Sequence, residues 1–215
     1  MLDPNSELSV LSPAEARVLG SLVEKKELTP DVYPLTLNGA LAAANQKTAR
    51  DPVMALDLVE VRRALAQLEQ KGLVRQAFAS RVERYEHLLA NRLSLTQAQI
   101  VLVGLLLLRG PQTAHELLAR AERMTRFQSV EALRSDLDLL IGRKPALVLL
   151  LERGAGQREE RYAHLLSGDV VATVAPSAPA PFSTHSPDLA ARVQALEEQM
   201  AVLRAKIERL TGESD

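Results

Sequence analysis

The sequence predicts a mainly α-helical protein with short β-hairpins, an α+β chain in which one structural unit occurs twice before a C-terminal coiled-coil helix. Leucine supplies 39 of the 215 residues and only six residues are aromatic, so the core must consist largely of good helix formers. The segment RVERYEHLL at 81–89 recurs as REERYAHLL at 158–166 with seven of nine positions identical, which indicates an internal repeat. A heptad pattern near the C-terminus predicts the coiled coil.

The repeat and the changes in composition divide the chain into five segments. We predict a flexible N-terminus over residues 1–10, followed by two domains at 11–90 and 91–168. Residues 169–187 are rich in Ala, Pro, Ser and Thr and too poor in bulky apolar residues to offset the entropy of ordering, which predicts a linker. Residues 188–211 contain the heptads.

The first domain begins with two predicted helices. Ser12 and Glu15 form a capping box with proline at the first helical position, and they open a helix that runs to about Lys25. Two prolines then interrupt the helical pattern. A second helix, rich in leucine and alanine, is predicted over 35–45.

The third helix of the first domain begins at Asp57, whose capping partner is Glu60. The residues of its predicted buried stripe are Leu58, Val61, Leu65 and Leu68. A glycine ends this helix, and two short strands at 73–77 and 84–88 flank a polar tip at 79–81.

The second domain repeats this order of elements. A helix is predicted over 96–108, Thr113 caps a second helix, and Ser129 opens a third. The predicted buried residues of the third helix are Val130, Leu133, Leu137 and Leu140. Strands at 147–152 and 160–165 follow, with a glycine-containing tip between them. Three helices followed by a β-hairpin form the winged-helix arrangement, so the sequence predicts tandem winged-helix domains.

The C-terminal segment has apolar residues at alternating spacings of four and three, which predicts a coiled-coil helix. Valine, methionine and isoleucine occupy the a positions and leucine the d positions, a distribution that favours a parallel homodimer. The predicted dimerisation residues are Leu189, Val193, Leu196, Met200, Leu203, Ile207 and Leu210. The alternative is an amphipathic helix that packs against its own domains.

The segment YPLTLNGALAAANQKTARDPVM, residues 33–54, resembles the signature of the YceH family of bacterial proteins. RGPQT at 109–113, the REERYAHLLSG ending and the heptad tail are also similar to that family, so the resemblance covers nearly the whole chain. The sequence departs from the family pattern at Ala44 and Ala49, where the family has cysteine and asparagine respectively. The resemblance implies two winged-helix domains and a C-terminal heptad helix, and it transfers no activity.

A polar run at 45–52 connects the second and third helices of the first domain. This connection is much longer than the turn of about three or four residues usual in a helix-turn-helix that reads DNA. Its candidate contacts to a partner or a phosphate backbone are Asn45, Gln46, Lys47 and Arg50. The alternative is structural, with Asn45 capping the second helix and Arg50 pairing with Asp51 or a nearby glutamate.

The exposed face of the following helix carries residue types that contact phosphates and base edges. These candidate nucleic-acid or partner contacts are Arg62, Arg63, Gln67 and Gln70. Glu60 and Glu69 share the same surface. The corresponding helix of the second domain offers Arg134 against Glu131, Asp136 and Asp138, a set that makes it a poor DNA reader.

Arg81, at the hairpin tip, is a further candidate contact. Together with Arg75 and Arg84 it can form a local basic patch, the alternative being an ordinary solvated surface. The first and second domains carry net charges of only +1 and +3, whereas DNA-binding domains usually concentrate much more positive charge on one face. Charge therefore limits the DNA hypothesis.

The sequence contains few residue patterns that are typical of enzymes. The chain has no cysteine, no phosphate-binding glycine loop and no metalloprotease or serine hydrolase motif, so we predict no catalytic residue, no metal site and no cofactor. His87 and His164 recur with the repeat and are more simply packing residues than catalysts. The chain begins without a secretory signal and its longest apolar run, 100–108, is too short for a bilayer, which predicts a cytoplasmic protein without a membrane partner.

Two hypotheses of different classes follow. The preferred one is a non-enzymatic, dimeric tandem winged-helix protein that binds double-stranded DNA through the first domain. Its rival is a scaffold whose winged helices bind partner proteins and whose coiled coil sets the oligomeric state. The analogy of fold favours DNA, and the charge distribution favours the scaffold.

Overall fold

The computed structural model describes residues 10–77, 82–153 and 158–168. All of them belong to one compact unit that spans Met1–Thr173. The structure has the predicted mixture of α-helices and small antiparallel β-sheets.

Several predictions from the sequence concern residues outside the described part. A second unit, Val174–Asp215, lies wholly there. The linker at 169–187, the heptad helix at 188–211 with its dimerisation residues, and both hairpin tips, with Arg81, also lie outside the described residues. Coiled coil and dimer therefore stay predictions.

The helices are α1 Pro13–Leu28, α2 Leu37–Ala44, α3 Leu58–Gln70, α4 Leu89–Leu93, α5 Gln97–Arg109, α6 Ala114–Ala121 and α7 Val130–Ile141, with a short 3₁₀ turn at Pro30–Val32. The strands are β1 Leu35–Thr36, β2 Val74–Ala77, β3 Arg84–His87, β4 Val148–Leu151 and β5 Arg161–His164. Of the helices in the described ranges, none combines the length and hydropathy that crossing a bilayer requires.

Both repeats build their sheets in the same register. In the first repeat the antiparallel order is β1–β3–β2, and Tyr85 lies between Leu35 on one side and Gln76 on the other. In the second repeat β4 pairs with β5, so that Leu150 lies opposite Tyr162. A single bridge from Gln112 to Tyr162 takes the place of β1 there.

The predicted helix starts are confirmed. At Ser12, Asp57, Thr113 and Ser129 the side chain accepts a hydrogen bond from the backbone N–H three residues further on, which satisfies a donor that the helix itself leaves free. The first three of these sites form complete capping boxes. Helix α1 continues to Leu28, beyond the predicted end at Lys25.

Three details of the sequence prediction are wrong. Leu35 lies in strand β1 rather than in a helix, because Thr36 has an extended backbone and caps α2, which can begin only at Leu37. Leu58 shares its angular position around the helix axis with the buried residues of α3, but it is the first residue of the helix and is 40% exposed. Ala64 is buried in its place. Val130, the first residue of α7, is likewise only partly buried. Helix α4 was not predicted.

Helices α1 and α5 join the two repeats and form the centre of the core. Their residues from Glu15 to Glu24 and from Gln99 to Leu108 are buried without interruption. Gly20 faces the side chain of Leu108, Gly104 faces Val23, and Gln97 at the start of α5 donates to Glu27 near the end of α1, so the two helices run antiparallel. A Cβ added to Gly104 would lie 2.6 Å from a Val23 methyl carbon.

Backbone hydrogen bonds add to this joint. The N–H of Leu11 donates to the carbonyl of Leu166 at 2.8 Å, and the N–H of Asp51 donates to the carbonyl of Leu108 at 2.9 Å. Each bond links a segment of one repeat to the other repeat. Repeats at 11–90 and 91–168 therefore share one continuous core.

The repeated histidines differ in exposure, since His87 is buried and His164 is half-buried. His87 is 4% exposed, and among the described residues neither of its ring nitrogens has a hydrogen-bond partner, nor does Nδ1 of His164. Burial lowers the pKa of each imidazole to about 4, and for His87 the charge of Lys26 acts in the same direction. Both rings are therefore neutral in the folded protein at pH 7.

Substitution of Gly104 by alanine should destabilise the protein. The new methyl group would clash with the stiff, β-branched side chain of Val23 on α1. Overpacking of this kind costs about 1–3 kcal/mol, which exceeds the stability gained from the higher helix propensity of alanine. Urea denaturation followed by circular dichroism measures the change. Gly142→Ala is the matched control, because its Cβ would meet nothing closer than a carbonyl oxygen at 3.4 Å. Equal stability of the two variants would contradict a tight joint.

Acid should destabilise the fold through His87 and His164. Each folded-state pKa lies near 4 against an ordinary value of 6.5, so the unfolded chain takes up protons first as the pH falls below 6.5. The stabilising contribution of the two neutral imidazoles is fully present above pH 6.5. It decreases towards pH 4, by up to about 1.4 kcal/mol per pH unit for each ring. The check is the free energy of unfolding at pH 7 and pH 5.

Leucine at both positions should flatten this pH dependence even if it changes the absolute stability. His115→Gln is the control, since His115 is an exposed side chain that pairs with Glu159 on the surface. The same slope in the double leucine variant and the unmodified protein would show that other groups cause the acid sensitivity.

Candidate functional site

Helix α3 presents the predicted contact residues on one surface. Its buried side consists of Val61, Ala64, Leu65 and Leu68, which pack into the core. The residues left on the solvent side include Arg62, Arg63, Gln67 and Gln70, all of them exposed. The capping box of Asp57 and Glu60 fixes the start of the helix at the edge of this surface. The structure therefore brings these four side chains together as predicted.

Arg50 was predicted as a contact residue, and the structure corrects this. Its side chain is fully buried and forms a two-pronged ion pair with Glu24 of α1, at 3.0 Å and 2.6 Å. Nε and Nη2 also donate to the carbonyl oxygen of Ala43, and Nη2 donates to Oε1 of Gln46. A buried guanidinium with all these acceptors holds the loop and is out of reach of a partner.

Asn45 also has a structural place, as the alternative interpretation proposed. It ends α2, and its side-chain amide donates to the carbonyl of Leu56 and accepts from the N–H of the same residue, both at 2.8 Å. These two bonds close the loop at the residue before the α3 cap. Lys47 is exposed, whereas Gln46 is half-buried.

Ala49 adopts a strained backbone conformation within this loop, with φ of 59°. A residue with a Cβ seldom occupies the left-handed region, at a cost of roughly 1–2 kcal/mol. The carbonyl of Ala49 accepts a hydrogen bond from Nη1 of Arg50 at 2.9 Å. The buried ion pair therefore lies directly beside the strained residue and helps to hold it.

Arg17 is a second buried arginine, which the sequence reasoning missed. It lies on α1, is 2% exposed, and donates to the carbonyl oxygens of Ala44 and Pro52 on either side of the loop. Burial lowers the pKa of its guanidinium, and the charge of Arg50 lowers it further. The sequence offers one indication that Arg17 is buried, namely that it lies in α1 among residues that are buried on every side of the helix.

The basic residues around α3 differ in their partners. Lys71 pairs with Glu15 at 2.7 Å, and Arg75 pairs with Glu86 across the hairpin. Within the described residues, no ion pair involves Lys47, Arg62 or Arg63. These three cations therefore remain available to an anionic partner.

The equivalent surface of the second repeat has the opposite character. Aligning the buried leucines of α3 and α7 places Arg134 at the position of Arg62. The same register replaces Val59, Arg63, Ala66 and Gln67 with Glu131, Ser135, Asp138 and Leu139. Leu139 is 63% exposed. The face of α7 is thus acidic and apolar where that of α3 is basic and polar.

Comparison with known proteins gives a single family. Residues 11–157 match the family described as "Protein of unknown function, DUF480". The chain is 68% identical over 209 residues to UPF0502 protein mll4256 of Mesorhizobium japonicum, which covers 97% of this chain and 100% of the relative. It is 51% identical to UPF0502 protein xcc-b100_4348 of Xanthomonas campestris, with 96% of this chain and 95% of the relative covered. These descriptions state no ligand or activity.

Replacing Arg50 with alanine should destabilise the protein strongly. Glu24 would keep a buried carboxylate with only the more distant Lys25, at 3.8 Å, as an ion partner, and breaking a buried pair in this way costs about 3–5 kcal/mol. Urea denaturation measures the loss, with Lys47→Ala as a control that should change stability by less than about 0.5 kcal/mol.

The double variant Glu24→Ala, Arg50→Ala separates the pair from other effects. Because neither charge is then left alone, its cost should be smaller than the sum of the two single costs. Strict additivity would mean that the two side chains do not act as a pair.

Proposed function

Because the chain belongs to the DUF480 family, whose description assigns no function, we propose one from the described surfaces: a non-enzymatic, cytoplasmic tandem winged-helix protein that binds double-stranded DNA through α3. We also infer that the YceH resemblance and DUF480 denote one family. In this proposal the heptad residues from Leu189 to Leu210 pair two copies of the chain.

The order of elements supports the winged-helix assignment. In each repeat three helices precede a β-hairpin, and the third helix keeps one long side in solvent. In helix-turn-helix proteins the corresponding helix lies in the major groove. In this assignment α3 and α7 are the two recognition helices.

The observation that carries DNA binding is the exposed pair Arg62 and Arg63, which no carboxylate of the described residues neutralises in an ion pair. Phosphate contacts supply most of the sequence-independent affinity for DNA, and arginines on a recognition helix supply such contacts. Gln67 and Gln70 on the same surface can donate to and accept from base edges. On α7, Glu131 and Asp138 would repel a phosphate backbone.

Charge sets the expected strength. The first repeat has a net charge of only +1, and Glu60 and Glu69 border the basic surface. We therefore expect few phosphate contacts and a modest affinity that falls quickly as salt is added.

A second candidate function, a protein-binding scaffold, is favoured by exposed leucines in the second repeat. Leu149 and Leu150 are 39% and 38% exposed, and the strand registers place them where the first repeat has Arg75 and Gln76. Together with Leu139 on α7 they give the second repeat a more apolar surface. Apolar side chains of this kind are typical of protein contacts.

Changing Arg62 and Arg63 to alanine should weaken DNA binding and reduce its salt dependence. Each lost phosphate contact lowers the slope of log affinity against log salt by about 0.9, so the slope should fall by nearly two units. Fluorescence anisotropy with a labelled duplex over a series of salt concentrations measures both effects. Both side chains are exposed, so the melting temperature should hardly change.

Arg134→Ala is the matched control, because Arg134 occupies the position on α7 that Arg62 occupies on α3. It should leave DNA affinity and salt slope nearly unchanged. Unaltered affinity in the folded Arg62, Arg63 variant at low salt would remove the DNA proposal and leave the scaffold in its place.

A further inference from the structure

An open groove lies on the second repeat, beside helix α6 and the turn that follows it. Its volume is about 760 Å³, within the range of ligand-binding clefts. The residues that line it include His115, Leu118, Glu122, Arg123, Arg126 and Phe127. All come from one continuous stretch of chain, so the groove has one principal wall and stays open to solvent along its length.

The rim of this groove is mainly cationic. Arg123 and Arg126 are exposed, and neither forms an ion pair with another described residue. His115 lies at the edge, 3.3 Å from Glu159. Glu122 is the single carboxylate among the lining residues. The groove therefore attracts an anionic ligand.

The floor of the groove is apolar. Leu118 and Phe127 are half-buried and pack against the hydrophobic core with one side while the other lines the groove. The turn between α6 and α7 is held in place, because Met124 is buried and the N–H groups of Met124 and Thr125 both donate to the carbonyl of Ala121. The two arginines thus project from a preformed turn.

We propose that this groove binds an acidic peptide segment of a partner protein, one that alternates carboxylate and apolar side chains. Arginine clusters recognise acidic motifs, and an apolar floor takes up the side chains between the charges. A small molecule fits less well, since such ligands are usually enclosed over most of their surface and this groove has one wall.

DNA is a poor occupant for the same groove. Helix α7 begins directly after the turn, and Glu131 in its first turn is exposed. Glu131 and the exposed Asp138 place negative charge on the helix next to the groove, and this charge disfavours a phosphate backbone. The proposal concerns the second repeat alone and does not depend on DNA binding by α3.

Fluorescence anisotropy with the full chain and three labelled peptides tests the proposal. The first peptide alternates glutamate and leucine, the second replaces leucine with serine, and the third replaces glutamate with lysine. The glutamate–leucine peptide should bind most tightly, and the other two should bind about tenfold or more weakly, because one lacks the apolar contacts and the other the charge.

Variants then locate the site. Arg123→Gln with Arg126→Gln should weaken the glutamate–leucine peptide by about tenfold, while Arg134→Gln, an exposed arginine outside the groove, should leave it within about twofold. Circular dichroism checks that each variant stays folded. Equal weakening by Arg134→Gln, equal binding of the lysine peptide, or no binding of any peptide would overturn the proposal. Self-association lost in the same double variant, measured by light scattering, would assign the groove to a second copy and also overturn it.

Discussion

The contact between α1 and α5 is the constraint on which the rest of this structure depends. Gly20 and Gly104 occupy matching places in the two repeats, and each lets a bulky side chain of the other helix approach its backbone. The pattern is isologous, like the contact across a two-fold axis, but it occurs within one chain. Because both helices are buried through their central turns, α2, α3 and β3 pack against α1, and α6, α7 and β5 pack against α5.

Helix α1 also organises the first repeat. It provides Glu24 to Arg50 and, through Arg17, reaches carbonyl groups on both sides of the long loop. Hydrogen bonds from Arg50 and from the two terminal nitrogens of Arg17 offset much of the cost of burying these charges, so the loop has little freedom to take another path. Asn45 then fixes the chain before the start of α3 through its two hydrogen bonds to Leu56. The position of the basic surface thus follows from contacts made in the core.

Local features of the sequence predicted much of this fold. Helix starts depend on a side chain three residues from the cap, as at Asp57 and Glu60, and the repeated Tyr85 and Tyr162 mark the last strand of each repeat. Arg50 could not be assigned in the same way. Its partner Glu24 lies 26 residues away, so the sequence left contact and structural roles open. The four exposed residues of α3 were found because helical periodicity alone sets which side faces solvent.

Joining two equivalent units in one chain has a consequence for how the surfaces can diverge. In a symmetric homodimer any substitution appears on both halves, so both must serve the same purpose. Here the contact at Gly20 and Gly104 keeps the two repeats packed together, while each repeat is encoded by its own part of the gene and can mutate separately. Arg63 and its counterpart Ser135, or Gln67 and Leu139, are therefore free to change separately. An internal pair of this kind can specialise its two sides while its interior stays matched.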